Sequence, residues 1–265
     1  ILEETEKLII NGAKEIILLG QNVNAYNFED NSKKYRLSNL INEISKYSEI
    51  ERIRYITSHP RDMSDDLIAC YSNKKLMPLI HLPIQSGSNK ILKNMNRKHT
   101  IEDYLEVVKK LKKVNPYIKF SSDFIIGYPG ENKKDFSDTL QLIDEVEYIN
   151  FYSFIYSPRP GTPAAKLKKI DEILAKERLS IFQKKAEEVK MRYRKNLFNK
   201  ECSVLFENEL KDKSGFFGKD EFSNSVIVKS HENLIGKIEE IKIIDGNQST
   251  LFGTKKNFNK KNFAA

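Results

Sequence analysis

Cysteine is nearly missing from this chain: 265 residues hold only Cys70 and Cys202. Neither sits in a Cys-x-x-Cys pair or any other spacing that gathers metal ligands, so as read the chain binds no metal and forms no disulfide framework. A reducing, cytoplasmic setting is the matching expectation. Tryptophan is absent, so the aromatic part of the core rests on 15 Phe and 12 Tyr, within a hydrophobic content of 39% that suffices for a packed interior. No apolar run approaches the roughly 20 residues of a membrane span, and no signal peptide opens the chain, so no membrane partner is expected. The chain begins at Ile1, already inside an amphipathic pattern of Leu2, Leu8 and Ile9, and the expectation is that something upstream has been removed. A net charge of +8 fits either an anionic partner or a Lys-rich solvated surface.

What is present is rhythm. Apolar runs at EIILL (15–19), RIRYIT (52–57), PLIHLPIQ (78–85), IKFSSDFIIG (118–127) and YINFYSFIYS (148–157) alternate with amphipathic stretches. Ile101, Leu105, Val108 and Leu111 form one helical stripe behind a Thr100/Asp103 capping box, and Phe136, Leu140, Ile143 and Val146 form another. Strands separated by helices predict βαβ units and a parallel sheet, either an open wound sheet or a barrel. The polar and Gly-rich turns follow the strands directly, where parallel α/β enzymes carry their chemistry. From Asp171 to about Asn199 the pattern is one long charged helix, and after it four short strand-like runs predict a small antiparallel barrel. The closing KKNFNKKNFAA is low-complexity and basic, and is expected to be disordered.

Each strand end has a plain reading beside a functional one. In HLPIQSGS (81–88), alternation sends Ile80, Leu82 and Ile84 to one face and His81 and Gln85 to the other. Ser86, Gly87 and Ser88 then offer donors for a carboxylate or phosphate, or simply a Ser helix cap beside a hydrogen-bonded histidine. In KFSSDFIIGYPGE, Asp123 lies in an apolar strand and needs a partner if buried, while Gly127, Pro129 and Gly130 make a tight turn or allow close approach of a flat ligand. SPRPGTP holds Arg159 in a stiff loop, which suits phosphate or carboxylate recognition as well as plain exposure. Gln21, Asn22 and Asn24 are turn formers or hydrogen-bonding groups at the mouth, and Ser58 with His59 ends an equivalent strand without an identifiable nucleophile. At the helix end KKAEEVKMRYRKNLFNK, Lys190, Arg192, Arg194 and Lys195 lie among Tyr193 and Phe198, a pattern that suits a nucleic-acid backbone or a solvated helix face.

Taken together, GQNVNAY, TSHP, HLPIQSGS, SSDFIIGYPGE and YSPRPGTPAA resemble the methylthiotransferase family of radical S-adenosylmethionine (SAM) enzymes, and the strands after residue 196 resemble its RNA-binding TRAM domain. The resemblance spans residues 1–255. It implies an incomplete parallel (β/α) barrel of the radical SAM type at 1–196, a small antiparallel TRAM-like β-barrel at 197–255, and a disordered basic tail at 256–265. The implied reaction inserts sulfur by a radical route and transfers a methyl group onto a dimethylallyl-adenosine beside the tRNA anticodon. Related alternatives are a threonylcarbamoyl-adenosine substrate, or a non-catalytic RNA-binding protein on the same scaffold. The implied cofactors are SAM and two 4Fe–4S clusters, and the implied partners are tRNA and an electron donor. Carried over by motif, Gln85 and Ser86 lie near the ribose and methionine of SAM, the turn from Ile125 to Glu131, with Ile126, Gly127 and Glu131, lies near its adenine, and Ser88 and Asp123 are cofactor-binding. Gln21, Asn22, Ser58, His59, Tyr156 and Arg159 line the mouth, and Lys190, Arg192, Arg194 and Lys195 meet RNA. The departure is the cysteines. Cys70 and Cys202 match none of the family's cluster ligands, and a cluster needs several thiolates in one place. The expectation is an enzyme fragment, inactive alone.

Overall fold

The computed structural model describes residues 1–30 and 33–255, so the expected basic tail at 256–265 lies outside the described residues. Two compact units divide after Val189, residues 1–189 and 190–265. The first runs α1 (Leu2–Ile10), β1 (Glu15–Leu18), β2 (Asn27–Asp30), β3 (Lys33–Arg36), α2 (Leu37–Ile44), β4 (Arg52–Tyr55), α3 (Asp65–Ala69), β5 (Leu79–His81), α4 (Asn89–Asn94), α5 (Ile101–Val114), β6 (Lys119–Ile126), α6 (Lys133–Val146), β7 (Asn150–Ile155) and most of α7 (Glu172–Lys195). All five apolar runs become strands, trimmed at their ends.

β1 pairs parallel with β4, and β5, β6 and β7 form a parallel three-stranded ladder. A bridge between Ile53 and Leu76 joins the two groups: Ile53 N–H donates to Lys75 O at 2.6 Å, and Met77 N–H to Ile53 O at 2.9 Å. The five strands therefore lie side by side in chain order, with no reversal of direction. An open wound sheet has such a reversal and a barrel does not, so the arrangement is an open arc of a (β/α) barrel. Among the described strands, nothing pairs with the outer edges of β1 and β7.

The period of two explains which face the helices cover. Ile16, Ile53, Tyr55, Ile80, Phe120, Phe124 and Ile126 are buried on the outer face, together with Leu111, Phe136, Ile143 and Phe182 of the helices. Each such side chain contributes about 1.5–3 kcal/mol. The opposite, concave face is less covered: Ile17 is 47% exposed, Tyr152 52% and Phe154 57%. Helix starts follow the residues that permit them. Thr100 Oγ1 accepts from Asp103 N–H at 3.2 Å while Asp103 accepts from Thr100 N–H at 2.8 Å, and Asn132 with Asp135 repeats the box at α6.

In the second unit, β8 (Glu201–Glu209), β9 (Phe216–Asp220), β10 (Ser225–Val228), β11 (Ile238–Gly246) and β12 (Thr250–Lys255) close into a barrel of order β10-β12-β11-β8-β9. Val204, Phe206, Val226, Ile241, Ile243 and Leu251 fill it. Closure removes the unpaired edges that a short open sheet would expose. β9 was not among the strand-like runs in the sequence. Its FFGKD is short, and its Gly218 is needed because a Cβ there would stand 2.4 Å from Leu205 O of the neighbouring strand.

Candidate active site at the strand ends

Three successive strands end in the same backbone device. Thr57 follows β4 with φ 71°, Gln85 follows β5 with φ 75°, and Gly127 follows β6 with φ 75°. Left-handed residues turn each chain sharply at the mouth of the arc. At non-glycine positions this geometry costs on the order of 1 kcal/mol or more and is concentrated at functional sites.

Below this rim, His81 and Asp123 face the concave side. His81 Nδ1 lies 2.9 Å from Ser121 Oγ, its Nε2 lies 3.4 Å from Asp123 Oδ1, and its ring meets Tyr152 edge-on at 5.7 Å. Gln85 is pinned through its backbone, its N–H donating to Asp123 O and its O accepting from Ile125 N–H. The residue is buried. The β1 and β4 ends meet in a second cluster. Asn24 brackets His59 through two backbone contacts of 2.9 Å, and Asn22 donates to Asp62 at 2.7 Å. Asn22 Oδ1 and Ser58 Oγ are buried there without a partner. Gln21 is exposed beside them.

Two residues not selected from the sequence complete this cluster. The His99 ring lies 5.4 Å from that of His59, and both its nitrogens are buried without a partner. Burial, with His59 and Arg97 nearby, pulls the His99 pKa down to about 4; burial and Arg97 also lower that of His59. Arg97 is half-buried and forms no ion pair within the described residues, while Asp123 favours its charged form against the partial burial. The visible signal was the run RKHT (97–100): two cations and a histidine packed between a turn and a helix cap.

Several expected ligand residues have partners within the chain. Ser86 and Ser88 face α6, away from the concave side. Gly87 N–H donates to Thr139 Oγ1 at 2.9 Å, Ser86 Oγ lies 3.5 Å from the same oxygen, and Ser88 Oγ donates to Asp135 at 2.7 Å while capping α4. The plain Ser-cap reading holds for this turn. The Ile126 side chain is fully buried in the outer core, and its carbonyl accepts from Tyr156 N–H. Glu131 braces the turn instead of facing a ligand: its Oε2 accepts from Gly127 N–H at 3.2 Å, and its Oε1 pairs at 2.7 Å with Arg178, which stacks on Phe136 at 5.5 Å. Arg178, from α7, was invisible as one more cation of a charged helix.

Gly127 and Tyr156 line one cavity of about 250 Å³, together with Ile170, Ala175 and Lys176. The Tyr156 ring packs edge-on against Tyr128 at 4.9 Å, and its hydroxyl is buried without a partner. Arg159 is exposed in the following loop, where its carbonyl accepts from Thr162. Among the four expected RNA contacts, Arg192 and Lys195 are exposed and Lys190 is half-buried. Arg194 is a correction: it is 3% exposed and donates to Asn247 O at 2.7 Å and Ser249 O at 3.3 Å, tying the helix end to the β11–β12 turn.

The radical SAM superfamily profile matches residues 1–143. This chain belongs to the radical SAM superfamily. Over all 265 of its residues it is 54% identical to the tRNA-2-methylthio-N(6)-dimethylallyladenosine synthase of Pelagibacter ubique, and over 257 residues 46% identical to that of Wolbachia pipientis wMel. It covers 100% and 96% of itself in these matches, and 59% and 58% of the relatives, so it spans about three fifths of their length. In fold it is similar to coproporphyrinogen III oxidase from Escherichia coli, a radical SAM enzyme, with TM-score 0.52 and 13% identity over 91% of this chain and 59% of that one.

The superfamily implies SAM and an iron–sulfur cluster. The residues present do not fit the cluster. Among the described residues no three His, Cys, Asp or Glu side chains converge on one point. Cys70 is buried with its thiol pushed up to about 11 by burial, and Cys202 lies in the other unit. SAM is different. Arg97 without an ion pair, the orphaned hydroxyls of Ser58 and Tyr156, and the cavity at Gly127 are groups and space of the kinds that a molecule with a carboxylate, a ribose and a flat base would use.

Proposed function

We propose that this chain is the SAM- and RNA-holding part of a tRNA methylthiotransferase acting on dimethylallyl-adenosine beside the anticodon. The observation that carries the reading is the 54% identity, sustained along the whole chain, to a protein of that name. The strand-end geometry supports it. Arg97 takes the carboxylate of SAM, because a half-buried guanidinium without an ion pair is best satisfied by a planar anion. Gln85 and Asp123 stand beside it and orient the ribose. Gly127 and Tyr156 receive the adenine in their cavity, with Glu131 and Arg178 fixing the turn. SAM supplies, when bound, the radical that abstracts hydrogen and the methyl group of the product. Two 4Fe–4S clusters and an electron donor complete the system, their thiolates supplied by residues other than Cys70 and Cys202. Arg192, Lys195 and Arg159 supply positive charge to the RNA backbone, with Lys190 behind them.

The test is mass spectrometry of tRNA nucleosides from cells in which the gene is deleted. Dimethylallyl-adenosine should accumulate without its methylthio derivative. Persistence of the methylthio nucleoside would overturn the reading.

A further inference from the structure

Parallel sheets normally bury both faces, yet the concave face of this arc leaves two large aromatic rings uncovered. They are Tyr152 and Phe154, both on β7, 52% and 57% exposed. The chain has not left them there by default. The residues between and around them on β7 alternate inward to the core, where Phe151 packs against Phe124, Tyr148 and Phe182. Alternation thus places Tyr152 and Phe154 together on the other side, and the register sets Asp123 opposite Tyr152 and Ile125 opposite Phe154. His81 fixes the Tyr152 ring from the side, edge-on at 5.7 Å, and is itself held by Ser121 and Asp123.

We propose that Tyr152 and Phe154 form the platform on which the RNA substrate's adenine is held within the arc, with Phe154 and Ile125 receiving its apolar N6 substituent. This rests on the tRNA reading above and deepens it. The chemistry that selects this occupant is specific. A base taken out of its stack is held by aromatic faces, and such stacking tolerates a purine of any edge pattern. The substituent needs an apolar wall beside the ring, which the Ile125–Phe154 pair supplies. The strand that carries the platform runs straight into the loop holding Arg159, an exposed cation placed for the phosphates that flank an extruded nucleotide. An acidic peptide would use the cation but not the two rings, and a lipid chain would use the rings but not the half-buried polar pair of His81 and Asp123 beside them.

The experiment compares binding of the 265-residue chain to three RNA stem-loops that differ at one loop position: dimethylallyl-adenosine, adenosine, or an abasic site. The wild-type chain should bind in that order of decreasing affinity. Tyr152→Ala and Phe154→Ala should each weaken binding of the dimethylallyl-adenosine loop about tenfold, the scale of one lost base–aromatic stack, and leave the abasic loop unchanged. Tyr152→Phe keeps the ring and should bind like wild type, and matching far-UV circular dichroism melts show that the alanine variants remain folded. If wild type discriminates among the loops and the alanine variants discriminate equally well, the platform is wrong and the tRNA reading stands. If wild type binds all three loops alike, the tRNA reading fails and the platform with it.

Discussion

The brace beneath the Gly127 turn offers a sharp energetic test. Arg178 and Glu131 face each other with side-chain exposures of 9% and 2% at 2.7 Å, and Arg178 also donates to the Glu131 carbonyl. Burial raises the Glu131 pKa and Arg178 opposes that rise. Arg178→Met keeps an unbranched chain over Phe136 but strands a carboxylate in the interior, with Gly127 N–H as its remaining donor. Removing one partner of a buried pair costs about 3–5 kcal/mol; in a unit of this size 3 kcal/mol corresponds to about 6–12 °C of midpoint. The stranded carboxylate escapes part of this cost by taking a proton, so the loss should be smaller at pH 5 than at pH 8. Adding Glu131→Gln removes the charge, keeps an acceptor for Gly127, and should restore stability to within about 1 kcal/mol of wild type. Urea unfolding followed by far-UV circular dichroism reads all three forms, which suits a chain without tryptophan. A loss below about 0.5 kcal/mol for Arg178→Met at pH 8 would refute the assigned role.

Other outcomes follow from single contacts. His99, held neutral with a pKa of about 4 against 6.5 unfolded, contributes stability that is complete above pH 6.5 and lost as the pH falls toward 4. The full shift corresponds to roughly 3 kcal/mol, and partial hydration of the site reduces it to about 2; melts of wild type and His99→Phe between pH 4 and 7 should show a shallower slope in the variant. Gly87→Ala places a Cβ 2.5 Å from Thr139 Cα and 2.6 Å from Asp138 O, so α4 and α6 must part, at a cost above about 2 kcal/mol in a denaturant titration. The basic helix end should separate into two behaviours. Arg192→Ala with Lys195→Ala should leave the melting temperature unchanged and flatten the salt dependence of RNA binding by about two counterions, whereas Arg194→Ala, which orphans the carbonyls of Asn247 and Ser249, should lower the melting temperature first.

Much of the fold was legible because local and global demands agree. Period-two runs became the arc's strands, and the Thr100 and Asn132 boxes started α5 and α6. The hairpin β2–β3 was not legible. Its strands are largely exposed, so no buried face imprints alternation on NFED or KKYR. The site was legible at the level of turns and much less at the level of atoms. Sequence places Ser86 and Ser88 at a strand end but does not reveal that Gly87 lets α6 approach within reach of both hydroxyls. Arg97, His99 and Arg178 act through neighbours distant in the chain, and nothing in their own spacing announces that. Arg194 shows the converse: a 3.6-residue period rotates one cation of a basic run out of solvent and into a cap.

The left-handed exits at Thr57 and Gln85 have a consequence for how the protein ages under heat. Each holds a side chain in a conformation that L-residues avoid, so the rim carries strain that the core beneath it does not. Release of that strain favours opening at the rim ahead of the sheet beneath it. A molecule seated across those exits binds only the closed rim and so holds it closed by mass action. The temperature at which the rim amides begin to exchange with solvent is then a gauge of occupancy, readable without any chemistry taking place.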